Sequence, residues 1–545
     1  MPTTSAAAAK SFRGARLIKF LYKARRRCRA TYHSMQAGRL LLRSLPAIVM
    51  VSMLVPPPVA AQAPAGNSVA AEVQSSASGK LKKFYRPRGY WPLWVHEGEL
   101  GPSADRLIEL VSSAELDGLD PDDYDPDELR EVVKKARSGS SEALAKAELK
   151  LSRTFARYVS DVRRKPSIKI TYLDRELEPE RLTEAAVLRA AALVPSFADY
   201  MDDAGWMSPI YMRLRDAYGK YRDHWDGLPK IEISDGALLR TGDKGERVRM
   251  LRRRLGVPEG AIFDKVLAKK LRTFQAEHGL PDDAIAGSAT IAALNRGSAY
   301  YERLIQLNME RARVLPGPWT RHVIVDAVTA RLWLYNSGKM QGTMRVVVGK
   351  PTEQTPMLAG MMRYAIFNPY WNVPSDLVQR RIAPKVLDGA TLKGMRYEAL
   401  SDWTANASVL DPANIDWSAI AQGRENVRVR QLPGRNNAMG RMKFMFPNDL
   451  GIYLHDTPDK SLFSEKERQF SSGCVRLEDA PRLAKWLFGK KPKLESDVAE
   501  QQVPLPEPVP VYLSYLTVAP TDRGIAFLED AYGRDGDQLE RLAKR

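Results

Sequence analysis

The hydrophobic pattern of this 545-residue chain changes period at His322. Before His322 apolar residues recur every three or four positions, and from His322 they alternate. The first spacing puts apolar side chains on one face of a helix; the second puts them on one face of a strand. Helical runs followed by a strand-rich run predict an α+β chain of several domains, not one doubly wound sheet. The length agrees, since it exceeds what one core ordinarily holds.

Residues 84–235 read as a helical scaffold domain. Leu107, Leu110 and Val111 share one helix face, with Leu119 at its exit. Leu129, Val132, Val133 and Ala136 mark a second helix, and Leu144 to Val159 a third. Asp120-Pro121 and Asp125-Pro126 punctuate them. Tyr90-Trp91-Pro92-Leu93-Trp94 reads as packing. Residues 236–297 form a compact unit of three short helices. The first carries Val248, Leu251 and Leu255, and the second Val266, Leu267, Leu271 and Phe274. The third starts at Gly287-Ser288 and runs through Leu294. Residues 298–321 read as a connecting helix.

Residues 322–490 read as mostly β, interrupted over about 375–427 by a helical, loop-rich insertion. After Cys474, Leu483, Ala484 and Leu487 predict a helix with Asp479 and Pro481 in its first turn. Leu477 is assigned to the same run, which puts Cys474 a few residues before a helix start. Residues 491–545 read as a C-terminal extension whose apolar runs, 511–516 and 525–528, form a hairpin.

The N-terminus reads as an export leader, residues 1–61. A basic stretch leads into Leu45-Pro46-Ala47-Ile48-Val49-Met50 and ends on small residues with a cleavage point after Ala61. Met35 is a second candidate start, and an uncleaved membrane anchor is the alternative. Residues 62–83, rich in Ala, Ser and Gly, read as a disordered linker. The leader explains the charge. Removing its eleven Lys and Arg from the net +18 leaves +7, which gives no support for a nucleic-acid partner and fits work near an anionic wall or membrane.

Two cysteines occur, and Cys28 lies in the leader. An exported product keeps Cys474 alone in an oxidising compartment, without a disulfide partner, so that thiol is either inert and buried or used. Its surroundings favour use. Ile452-Tyr453-Leu454-His455-Asp456-Thr457-Pro458 is followed by Ser471-Ser472-Gly473-Cys474-Val475-Arg476. A thiol attacks a carbonyl as thiolate, and a nearby imidazolium or helix N-terminus lowers its pKa. His455 ends an apolar strand. Gly473 lets the backbone approach a substrate, so the N–H groups of Gly473 and Cys474 can face an oxyanion. Arg476 adds positive charge. The six histidines show no ligand spacing with acids or cysteines, so no metal is implied, and no Gly-rich phosphate loop of useful length occurs, so no cofactor is expected.

These residues resemble the active-site motif of the L,D-transpeptidases, in which a histidine precedes Ser-x-Gly-Cys-x-Arg. Residues 236–297 resemble the peptidoglycan-binding domain of wall hydrolases. The whole of 84–540, including Gly434-Arg435-Asn436-Asn437-Ala438-Met439-Gly440, is similar to the large Gram-negative subfamily with a helical scaffold and a capping insertion. One departure is Ser472, where many members have histidine. The resemblance implies a periplasmic, monomeric enzyme. Cys474 would attack a stem tetrapeptide, D-Ala would leave with a proton from His455, and a diaminopimelate amine of a second stem would resolve the thioester. It implies that Gly473, Cys474 and Tyr453 hold the oxyanion, with Ser472 beside them. Arg476 would orient the loop or a substrate carboxylate, or form a salt bridge. Tyr370, Trp371, Asn372 and Ser471 would line the substrate groove, with packing the alternative for the aromatic pair. Implied partners are stem peptides, glycan, wall-synthesis proteins and an outer-membrane acceptor. Anchoring such an acceptor, or hydrolysis by a carboxypeptidase, would use the same acyl-enzyme. A non-catalytic wall-binding protein is the alternative of a different class.

Overall fold

The computed structural model describes residues 65–543 apart from 180, 491, 496–497 and 522–523. The expected leader and Cys28 lie outside the described residues. Among those described, no helix is long and apolar enough to cross a membrane.

Ser140 starts the 22-residue helix Ser141–Val162, its hydroxyl accepting from the Ala143 N–H at 3.4 Å. Such a cap satisfies an N–H that the helix itself leaves open. The buried stripe Leu144, Leu151, Phe155, Tyr158 and Val162 is what Ala65–Ser76, Pro126–Arg137 and Glu184–Ala191 pack against. Asp117 is buried nearby and fully answered, by Arg215 and by the hydroxyls of Tyr158 and Tyr211, each at 2.8 Å.

The expected disordered linker over 62–83 is corrected. Helices Ala65–Ser76 and Gly79–Tyr85 occupy most of it, with Val69, Val73, Ala77 and Leu81 buried. Their spacing of four is a helix stripe that the Ala- and Ser-rich composition concealed.

The three-helix unit comprises Glu246–Arg254, Lys265–Glu277 and Ser288–Arg296. Asp264 caps the second, accepting from the Leu267 N–H at 2.9 Å. Val266 departs from expectation: it is 59% exposed, because the buried face runs through Leu267, Leu271 and Phe274. This unit shares one continuous apolar core with the helical scaffold.

Eighteen short and long strands occur among the described residues. β1 (Val95–His96) and β2 (Glu99–Leu100) make a small hairpin. β3 (Thr171–Tyr172) leaves the scaffold and pairs with a strand of the second half. There, β4 (His322–Asp326), β5 (Arg331–Asn336), β6 (Lys339–Gly349) and β7 (Leu358–Phe367) form the first part of a large mixed sheet. β8 (Trp371–Val373), β9 (Tyr397–Leu400), β10 (Val409–Leu410) and β11 (Arg428–Gln431) form a separate four-stranded sheet. β12 (Met442–Met445), β13 (Leu454–His455), β14 (Gln469–Ser471), β15 (Val475–Leu477) and β16 (Gln501–Ser514) return to the large sheet. β17 (Val518–Thr521) and β18 (Gly524–Phe527) end the series as a hairpin.

The large sheet closes on itself. β7 pairs with β16 along one edge and with β12 and β3 along the other, and β12 continues through β13, β15, β6, β5 and β4 back to β16. Closure leaves a ring whose interior is a second core containing Val325, Leu334, Val346, Phe444, Leu454, Val475 and Leu513.

Two boundaries are corrected by this closure. The expected C-terminal extension from 491 is integral to the sheet, since β16 is the strand between β4 and β7. Its run 511–516 therefore does not pair with 525–528; the hairpin is β17–β18, and Phe527 packs on Tyr221 and His278. The insertion also differs from the expected helical cap. Its helical stretch covers 375–387, with Trp417–Ala421 beside it, on the β8–β9–β10–β11 sheet, around its own small core. Short strands of two to four residues carry too little alternation to be read from sequence.

Candidate active site

β13 and β15 run parallel, with Leu454 opposite Val475 and His455 opposite Arg476. Alternation sends Leu454 and Val475 into the sealed core, where both are fully buried. Their neighbours Tyr453, His455, Cys474 and Arg476 therefore share the opposite face. The register is held where the Val475 N–H donates to the Tyr453 carbonyl at 3.1 Å.

Cys474 is partly buried, with its Sγ 3.4 Å from the Gly451 carbonyl. Burial pushes the thiol above its ordinary range, while the Tyr453 N–H, the Tyr453 hydroxyl and the charge of Arg476 pull it back. Burial, and next the neighbouring sulfur, hold the Tyr453 phenol far above its usual range, so it remains a donor. Its ring meets that of His455 edge-on, centroids 5.7 Å apart.

His455 is 2% exposed, and its pKa is pushed down to about 3, chiefly by burial and secondly by Arg476. Its Nδ1 lies 2.5 Å from the Asp456 carbonyl oxygen. A carbonyl only accepts, so Nδ1 carries the proton and Nε2 carries the lone pair. Asp456 is fixed in turn by the Arg441 N–H at 3.0 Å and by Lys460 at 2.8 Å. Gly440 makes room for it, because a Cβ there would lie 2.5 Å from the Asp456 carboxyl.

The loop before the sulfur departs from expectation at several points. Ser471 is buried, and its hydroxyl donates to the Cys474 carbonyl at 2.6 Å; it shapes the turn and does not line a groove. The Gly473 N–H donates to Ser471 Oγ at 3.2 Å, which takes it away from the expected oxyanion role. The Cys474 N–H meets no acceptor among the described residues. The Gly473 carbonyl accepts from Thr355 at 2.8 Å, and its φ of +104° is one that L side chains rarely adopt. Ser472 is exposed and hydrogen-bonds Glu353, not the sulfur. The helix Ala480–Phe488 begins only after β15, with Asp479 as its cap, so no helix start lies at Cys474. The expectation of a thiolate favoured at rest is corrected with it: the thiol is raised and the imidazole is neutral.

Arg476 makes no ion pair among the described residues, and its Nε is buried without a partner. Burial lowers its pKa, Asp459 opposes that, and Arg381 adds to it. Of the expected groove residues, Trp371 lines a cavity under the insertion. Tyr370 is tied up beneath the Arg430 guanidinium, 4.0 Å from its ring centroid, and its N–H donates to Glu500. Asn372 accepts from Arg428 at 3.1 Å and 3.2 Å and is structural. His322 is fully buried with Nδ1 on the Thr320 carbonyl.

Sequence reasoning missed Thr355, Asp456, Lys460 and Tyr532. Tyr532 reaches the Gly349 carbonyl and the Thr355 N–H, and so braces the loop that holds Gly473. Asp456 was legible as part of His-Asp-Thr-Pro; Tyr532 carried no signal. No cluster of three or more His, Cys, Asp or Glu among the described residues is placed to hold a metal ion.

Residues 320–498 match the L,D-transpeptidase catalytic domain, and they contain Tyr453, His455, Asp456, Cys474 and Arg476, while Tyr532 lies beyond the match. This part of the chain is an L,D-transpeptidase catalytic domain. Residues 79–217 match the Scaffold domain, and 244–294 match a domain described, provisionally, as peptidoglycan binding. A curated protein of Haemophilus influenzae, provisionally named as an L,D-transpeptidase, is 33% identical over 283 residues, 50% of this chain and 56% of the relative. The chain thus spans little more than half of that relative. Among solved structures, an L,D-transpeptidase from Mycobacterium smegmatis is 14% identical at a TM-score of 0.18, over 35% of this chain and 58% of its own. An L,D-transpeptidase segment from Xylanimonas cellulosilytica is 15% identical at a TM-score of 0.15, over 51% of this chain and 98% of its own. Scores this low add nothing to the assignment made by the domain match.

Proposed function

We propose that this protein is a periplasmic peptidoglycan L,D-transpeptidase acting by cysteine acyl transfer. One observation carries the reading: Cys474, Tyr453 and His455 share one face of β13 and β15, and His455 is neutral with its lone pair on Nε2. The thiol and imidazole are both neutral at rest, so the proton moves as the bond forms. Cys474 Sγ attacks the carbonyl between diaminopimelate and D-Ala of a stem tetrapeptide while His455 Nε2 takes the thiol proton. The Tyr453 hydroxyl and the Cys474 N–H stabilise the oxyanion. His455 returns its proton to the departing D-Ala amine, leaving a thioester. A diaminopimelate amine of a second stem then attacks, His455 takes its surplus proton, and that proton restores the thiol as the cross-link forms.

The domain at 244–294 supports glycan as the surface on which this happens. Export to the periplasm rests on the leader and on the substrate being there. Incubation with defined tetrapeptide muropeptides and mass analysis of the products tests the proposal. Cross-linked product with free D-Ala is expected, and none with Cys474→Ala. Cross-links made by Cys474→Ala would end the catalytic assignment; tripeptide alone would make the enzyme a carboxypeptidase.

A further inference from the structure

The helical stretch of the insertion roofs a cavity of about 370 Å³ over β8, β9 and β11. Trp371, Met395 and Tyr397 supply apolar wall, and Arg381, Lys385 and Gln431 supply polar groups. Two of the lining residues are cationic and none is acidic. Arg380, one residue earlier, is paired with Asp376. Arg381 and Lys385 have no such partner among the described residues. Both line the cavity while exposed to solvent, so their charges are free to meet the carboxylate of a ligand.

Local backbone geometry adds to this. Arg381 sits in the π-helical segment Val378–Ile382, and such interruptions of a regular helix recur at functional sites. The charge of Arg381 is felt by Tyr397 inside the cavity and by Arg476, two residues from the sulfur. Arg381 thus links the cavity to the reacting face, where Arg476 Nε is also unpartnered.

We infer that this cavity is a subsite for a carboxylate-bearing segment of the peptide substrate, its carboxylate held by Arg381 and Lys385 and its apolar part lying on Trp371 and Tyr397. The volume is that of a small-molecule site, which suits a segment of a few residues. The inference rests on the proposed function and names part of its substrate recognition.

The test uses the full chain and three tetrapeptide donors: unmodified, amidated at the diaminopimelate carboxylate, and amidated at the terminal carboxylate. The native protein should discriminate against one amidated donor, which tells the two sources apart. In Arg381→Gln/Lys385→Gln, KM for the unmodified donor should rise roughly tenfold or more, the size of one lost charge-assisted contact, and the discrimination should vanish. Arg381→Lys with Lys385 intact should recover part of it. Calorimetric titration of Cys474→Ala with the same donors reads the subsite without turnover. If the native protein releases no D-Ala, the proposed function falls, while the titration still decides the subsite. Equal affinity for all three donors, or unchanged discrimination in the double variant, overturns the inference.

Discussion

The Nδ1–H of His455 donates to the backbone carbonyl of Asp456 at 2.5 Å, so the third member of the catalytic array is a peptide oxygen, not a carboxylate. The Asp456 side chain acts one step back. Anchored by Lys460 and the Arg441 N–H, it fixes the carbonyl that orients the ring. Asp456→Ala should lower the rate of thioester formation about ten- to a hundredfold, because a misplaced base by about an ångström costs that much. Asp456→Asn keeps an acceptor for Arg441 and should retain part of the rate. Stopped acylation followed by intact-protein mass gives both numbers. An unchanged rate in Asp456→Ala, at normal stability, would remove this positioning role.

The protonation state of the pair sets the pH profile. With the His455 pKa at about 3, acylation should show no acid limb near 6.5, the ordinary imidazole value. Its alkaline limb should lie above that of an ordinary cysteine, because burial raises the thiol. Arg476 lowers both groups, so Arg476→Met should move both limbs to higher pH. The kcat/KM profile checks each direction. An acid limb centred near 6.5 in the native protein would mean that the base is not the buried imidazole.

Gly473 should tolerate no side chain. Its φ of +104° is strained for any L residue, and a Cβ would lie 3.0 Å from Ile452 Cδ1 and 3.6 Å from the Gln354 carbonyl. Gly473→Ala should cost roughly 1–3 kcal/mol of local strain. Relief of that strain moves Cys474, so alkylation and acylation should both slow. Near-native melting with lost acylation is the expected pair of results; full acylation would show that the loop has slack.

How much of this was legible in the sequence follows from the range of the interactions. His455 and Cys474 stood out because strand alternation and a local motif are short-range signals. The helices were readable for the same reason, except at 65–85, where small residues hid a stripe of Val69, Val73, Ala77 and Leu81. Closure of the sheet was not readable. It depends on β16 entering between β4 and β7, more than a hundred residues away in sequence. The oxyanion donors were misassigned for a related reason. Gly473 has the freedom expected of it, but its N–H is spent on Ser471, a pairing set by how the turn folds and not by residue type.

His278 gives the fold an acid-sensitive joint. It lies between Phe274 and Phe527, ring centroids 3.8 Å and 5.1 Å away, and so fastens the C-terminal hairpin to the three-helix unit. Burial pushes its pKa down to about 3, against an unfolded value near 6.5. Above about 6.5 neither state binds the proton, and the native contact is at full strength. Between about 6.5 and 3 only the unfolded chain takes it up, so stability falls with acid by about 1.4 kcal/mol per pH unit from this residue. His278→Phe removes that dependence. It also leaves the Tyr221 hydroxyl, now 3.2 Å from Nε2, without its partner, at a cost of roughly 1–3 kcal/mol near neutrality. The variant should therefore be weaker than the native chain at pH 7, and the gap should close by about 1.4 kcal/mol per unit on the way to pH 5. Urea unfolding at pH 7, 6 and 5 measures it, and parallel curves for the two proteins would show that His278 titrates alike in the native and unfolded states.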